Sequence, residues 1–259
     1  MRIAAFLMPF FALFAGGFGF VLRRLELRYV FDSATGLPQR GAPITYTLIG
    51  LTVLFIIISL VFTIVTASRN KSPAGFENAF GTDPLTYPVI LSVIGAIWLA
   101  ATVFYFLDMR SDYTRIPISE MLFMAMSALS AVSAGFFAVE MYQDPRRKSV
   151  YALSIVPTLF MCFWLVLLYN ENASNPILLS YAYICLAIIA SAMGFYYTSG
   201  FVYGKPAPGR AAFAYLTAIF FCFITLADPH HMMIRVVFVA VLAINVLYCF
   251  KLLRNLQAK

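Results

Sequence analysis

Apolar residues in this chain fall into blocks of roughly 20, each long enough to cross about 30 Å of hydrocarbon as a helix rising 1.5 Å per residue. Charge and most of the prolines gather in or at the edges of the short breaks between them. The pattern predicts spans near 3–22, 43–67, 86–107, 118–141, 150–169, 176–198, 211–227 and 230–250, in one membrane domain covering 1–259. The expected fold class is all-α integral membrane, a polytopic bundle of eight transmembrane helices.

The fourth block, ISEMLFMAMSALSAVSAGFFAVEMY, differs from the others in texture. At 100° per residue Glu120, Met124, Ser127, Ala131, Ala134, Gly135 and Ala138 form one stripe of mostly small residues, a surface that lets helices approach closely. This predicts a central helix. Pro43, Pro117, Pro176 and Pro229 each stand at the start of an even-numbered block, and Pro88 near the start of the third, where the first helical N–H groups have no partner to lose. Pro9 and Pro157 lie inside blocks. A kink there is admissible only if a neighbouring helix satisfies the freed carbonyl.

The loop from Glu26 to Pro38 alternates and then places Asp32 and Gly36 at the ends of a tight turn, which suits a short β-hairpin. Its DSATGLP resembles the DxLTGLxNR opening of diguanylate cyclase domains. A span follows where the rest of that domain would stand, so the likeness implies turn chemistry and no activity. The second loop, SRNKSPAGFENAFGTDP, is polar and rich in glycine and proline, and is expected to lack regular structure.

Composition rules out a water-soluble fold: 11% of residues are charged, against about 25% in soluble domains, and mean hydropathy is +0.87. The net charge of +7 points to membrane topology and lipid headgroups, with no nucleic-acid partner, because the basic residues sit at the ends of apolar blocks. Arg146, Arg147, Lys148, Lys205, Arg210, Lys251, Arg254 and Lys259 fall on one side, so both termini are expected in the cytoplasm, with the protein integral to the plasma (bacterial inner) membrane. One loop contradicts this: Arg23, Arg24, Arg28 and Arg40 would face outward. The first block also has an A-x-A-like spacing at Ala12 and Ala15 after Arg2, as in a secretory signal, but its length and the stop at Arg23 and Arg24 read as a retained span. Cys162, Cys185, Cys222 and Cys249 all lie in apolar blocks and are expected to be core residues.

Ionisable groups near hydrocarbon are the first candidates for chemistry. Glu120 and Glu140 bracket the fourth block about 30 Å apart on opposite faces, so they cannot act as a pair. Glu120 suits either the positive end of its helix or the mouth of a ligand cavity. The richest stretch is Leu226-Ala-Asp-Pro-His-His-Met-Met-Ile-Arg235. There Asp228 is expected to cap the last helix, with Asp228, His231 and Arg235 on one face. His230, His231 and Met232 are donors suited to a soft metal, although adjacent helical residues diverge by about 100°. No metal or cofactor is expected. Asn245 is the deepest polar group in the last span, placed for an interhelical hydrogen bond or a ligand contact.

The sequence carries no HExxH, no G-x-S-x-G, no mid-span histidine for haem, no mid-span lysine for retinal and no phosphate-binding glycine loop. The leading expectation is a solute-handling, permease-like carrier or the membrane subunit of one, with Glu120, Asp228, His231, Arg235 and Asn245 as ligand-binding candidates. The alternative is a non-transporting scaffold or sensory partner of another membrane subunit, favoured by the scarcity of deep ionisable residues. An intramembrane enzyme using His230 or His231 as a base is a third option.

Overall fold

The computed structural model describes residues 2–32, 37–39, 41–71, 76–81, 85–112, 116–143, 148–175 and 177–258, without the side chains of 2–6, 70–71, 77, 112, 140–141, 143, 148–150 and 257–258. The chain runs α1 (Arg2–Tyr29), α2 (Pro43–Arg69), β1 (Asn70–Lys71), α3 (Phe76–Phe80), α4 (Thr86–Asp112), α5 (Ile118–Gln143), α6 (Lys148–Asn172), α7 (Leu178–Val202), α8 (Pro208–Thr225), α9 (Met232–Asn255) and β2 (Gln257–Ala258). Every helix but α3 is long and apolar enough to cross a membrane, which gives eight spans.

Helices α4 to α9 each touch the next, and α9 returns to α4, so they close a ring. Outside it, α1 and α2 pack on α8, and α1 also touches α9. This corrects the expectation that the fourth span is central. In α8, 72% of the apolar window is buried, against 50% in α5, because α8 is covered by α7 and α9 within the ring and by α1 and α2 from outside. The small stripe of α5 does face protein: Ser127, Ala131, Ala134 and Ala138 are buried. It serves one tight seam, where a Cβ on Gly95 of α4 would lie 2.8 Å from the Ala131 carbonyl oxygen.

Aromatic side chains fill the ring. Trp164 of α6 packs tilted at 4.8 Å against Phe238 of α9 and meets Phe123 of α5 at 5.4 Å, while Phe160 reaches Trp98 of α4 at 5.7 Å. The indole N–H of Trp98 donates to Ser127 at 2.9 Å, so the one polar atom of that ring is satisfied. The carbonyl freed by Pro157 is satisfied in the expected way: the ring removes the donor to the Leu153 carbonyl, and Ser133 of α5 donates to that oxygen at 3.1 Å.

Two loop expectations are overturned. The second loop is not irregular throughout, since Phe76, Ala79 and Phe80 of α3 form an apolar face at i, i+3 and i+4 and are buried. Phe76 packs on Phe137, Phe80 on Phe201 and Tyr248, and Asn255 donates to the Ala79 carbonyl at 2.9 Å, closing the end of the ring nearest the termini. A backbone pairing of β1 with β2 lies beside it. In the first loop no hairpin strands form among the described residues. One bridge joins Phe31 to Pro38, and 33–36, with most of the DSATGLP segment, lie outside the described residues. The physical reason is that α1 runs on to Tyr29: Arg23, Glu26 and Val30 are buried at i, i+3 and i+7, so the alternating stretch begins as helix. Pro176 is likewise outside the described residues. Cys222 and Cys249 are buried as expected, but Cys162 is exposed on the outside of α6.

Candidate functional site

The end of the bundle opposite the termini holds two sets of interacting ionisable groups. The first is buried and begins with Arg23. One turn below it, Gly19 lets α1 approach α8 so closely that a Cβ there would lie 2.7 Å from Ile224. The close approach carries Arg23 over the end of α8. Its Nε donates to Oδ1 of Asp228 at 2.8 Å, its Nη1 to Oε2 of Glu26 at 2.7 Å, and its Nη2 to the Ser180 carbonyl at 3.3 Å. Thr45 of α2 donates to the other Glu26 oxygen at 2.7 Å, and the Tyr183 ring lies 5.1 Å from the guanidinium. Arg23 and Glu26 are fully buried and Asp228 nearly so. The set therefore ties α1 and α2 to α7 and to the turn between α8 and α9.

Two carboxylates face one guanidinium, and Asp228 is engaged through only one of its oxygens. Its second oxygen, Oδ2, is buried without a hydrogen-bond partner, and so is Nε2 of His230, 3.8 Å away. Burial pushes the Asp228 carboxyl up from its ordinary range, against the pull of Arg23, and it pushes the His230 imidazole down to about 4, helped by the positive charges of Arg235 and Arg23. At neutral pH His230 is thus an uncharged ring beside a buried carboxylate.

The second set is exposed. His231 Nε2 lies 3.3 Å from Oδ2 of Asp108 at the end of α4, and its ring is 4.7 Å from that of Tyr105. Tyr105 in turn donates to Glu120 at 3.3 Å, in the first turn of α5. Arg235 stands one turn into α9, exposed. No known family, curated protein or solved structure matches this chain.

The structure brings Glu120 and His231 into one neighbourhood through Tyr105, and separates them from Asp228. Three corrections follow. The cap of α9 is His231, whose Nδ1 accepts from the Met233 N–H at 3.2 Å; Asp228 and Pro229 precede the helix. Helical periodicity accordingly does not apply to Asp228, which turns inward to Arg23 while His231 and Arg235 stay outside. The metal candidates do not converge: His230 faces Asp228, His231 faces Asp108, and Met232 is 76% exposed. Asn245 is buried, yet its amide donates to Val241 of its own helix at 2.8 Å and its oxygen has no partner, so it makes no interhelical bond. The Glu140 side chain lies outside the described residues.

Arg23 and Glu26 were missed because two arginines after an apolar block read as a stop signal. The available clue was the topological conflict itself. One of the four arginines in that conflict, Arg23, is buried in the bundle against two carboxylates, and the other three keep the first loop basic.

Proposed function

We propose that this chain is a non-transporting membrane subunit, a scaffold or sensory partner that works by packing against another membrane component, in preference to a permease-like carrier. The supporting observation is the filled ring. Trp98, Phe123, Phe160, Trp164 and Phe238 occupy the middle, where a carrier of this size holds its substrate. The enclosed space beside Ser133, Ser154 and Thr198 amounts to about 10 Å³, room for about one water. The ionisable groups lie at the two ends of the bundle, away from this aromatic filling. The orientation that goes with this reading puts both termini in the cytoplasm of a plasma membrane, on the side that carries Lys205, Arg210, Lys251 and Arg254, with Arg24, Arg28 and Arg40 as the exception on the other side.

One experiment tests function and orientation together. In a cysteine-free background, single cysteines at Ser127 or Ala134 should resist a membrane-impermeant thiol reagent from both sides, Ser174→Cys should react in intact cells, and Arg254→Cys should react only after permeabilisation. Labelling of 127 or 134 from either side would restore the carrier, and the reverse pattern at 174 and 254 would invert the protein.

A further inference from the structure

A groove runs down the outside of the ring along the seam of α4 and α9, starting at the rim where the exposed charged set lies. Its two contiguous lobes have volumes of about 630 and 490 Å³ and share Ile97, Met232 and Val236. From Met232 to Ala243 it is roughly 17 Å long at 1.5 Å per residue. The deep walls are aliphatic, with Ile94, Val239, Ala240 and Ala243, and the mouth carries Tyr105, Asp108, His231 and Arg235. Asp108 is engaged by His231, whereas Arg235 has no ion-pair partner among the described residues.

We propose that this groove holds one anionic phospholipid, its phosphate on Arg235 and one acyl chain against the alanines of α9. Two features select that occupant. Among the described residues Arg235 is the one charged residue lining the inner lobe, whose other walls are aliphatic, while Asp108 at the mouth is held by His231, so a cationic point leads directly into an acyl-sized aliphatic trough. The free guanidinium offers a planar, charge-assisted donor pair that matches a phosphate. The site is on the outside of the ring and does not depend on whether the protein transports anything.

The test is native mass spectrometry of the full-length, delipidated protein titrated with dioleoylphosphatidylglycerol or dioleoylphosphatidylcholine. One phosphatidylglycerol should bind on the order of tenfold more tightly than phosphatidylcholine. Arg235→Ala should lower phosphatidylglycerol affinity to the level of phosphatidylcholine, Arg235→Lys should keep a preference, and Ala243→Phe, which blocks the deep end, should weaken both lipids. Thermal melting of each variant confirms that it is folded. Equal affinities in the unaltered protein, a preference that survives Arg235→Ala, or lipid binding indifferent to Ala243→Phe would overturn the proposal. So would displacement of the lipid by excess inorganic phosphate, which would make the site a bare anion site, or a co-purifying polypeptide lost in Ala243→Phe, which would make it a helix dock.

Discussion

Two sets of charged side chains stand at the same end of the bundle, and both draw on the short stretch from Asp228 to Arg235, yet they live in different media. Arg23, Glu26 and Asp228 are sealed from solvent and hold one another at 2.7 to 2.8 Å. His231 and Asp108 are 43% and 60% exposed at 3.3 Å, and Arg235 is exposed with no ion pair among the described residues. The turn into α9 divides them: Asp228, before the His231 cap, points into the bundle, whereas His231 and Arg235 lie outside. The lesson is that identical residue types within a few positions carry very different weight, because the energy of a charge depends on what has replaced its water.

The sharpest break in that comparison is removal of the buried cation. Arg23→Met should leave Glu26 and Asp228 buried and unpaired and cost about 3–5 kcal/mol, seen as a large fall in detergent melting temperature. Adding Glu26→Gln and Asp228→Asn should recover much of it. A small effect of the single change would mean that water reaches the cluster.

The next effect is pH-dependent and isolates His230, which faces Asp228, Arg23 and Arg235 and, on α1, Glu26 behind Arg23. Unfolded, the ring takes a proton near its ordinary 6.5; folded, only near 4. Between those values the unfolded chain binds more protons, so stability is full above 6.5 and is lost as pH falls toward 4. Asp228 works in the opposite sense, since its raised folded value makes the folded state hold its proton longer. The difference between the unaltered protein and His230→Gln separates the two: the slope between pH 6.5 and 4 should flatten in the variant. An unchanged slope would assign it to other groups.

The smallest effect is expected outside. Asp108→Asn removes an exposed pair worth under about 1 kcal/mol, and should shift the melting temperature far less than Arg23→Met. A comparable loss would show that the outer set is as structural as the inner one.

Much of the fold could be read along the chain. Eight apolar stretches of bilayer length, the buried face of Ser127, Ala131 and Ala134, and the need for a donor opposite Pro157 all follow from local rules. Hydrocarbon leaves the backbone no alternative to a helix, and a helix fixes which residues share a face. The largest misjudgements of local rules concerned a partner distant in sequence, although the α9 cap at His231 and the bond of Asn245 to its own helix are local. The centrality of α8 comes from α1 and α2 folding back on it, and the order in the second loop comes from a floor of Phe137, Phe201 and Tyr248 under α3. Asp228 was recognised as a candidate, but its function as a counter-ion required Arg23, far away in the chain.

The sequence by itself determined that this protein is a set of membrane helices, and roughly where each begins, because length and hydrophobicity are properties of contiguous residues. Only the tertiary structure decided which charges are buried, which are free, and that a groove lies between α4 and α9. Those facts depend on which helix faces which, and the many weak contacts that settle it are spread over the whole chain.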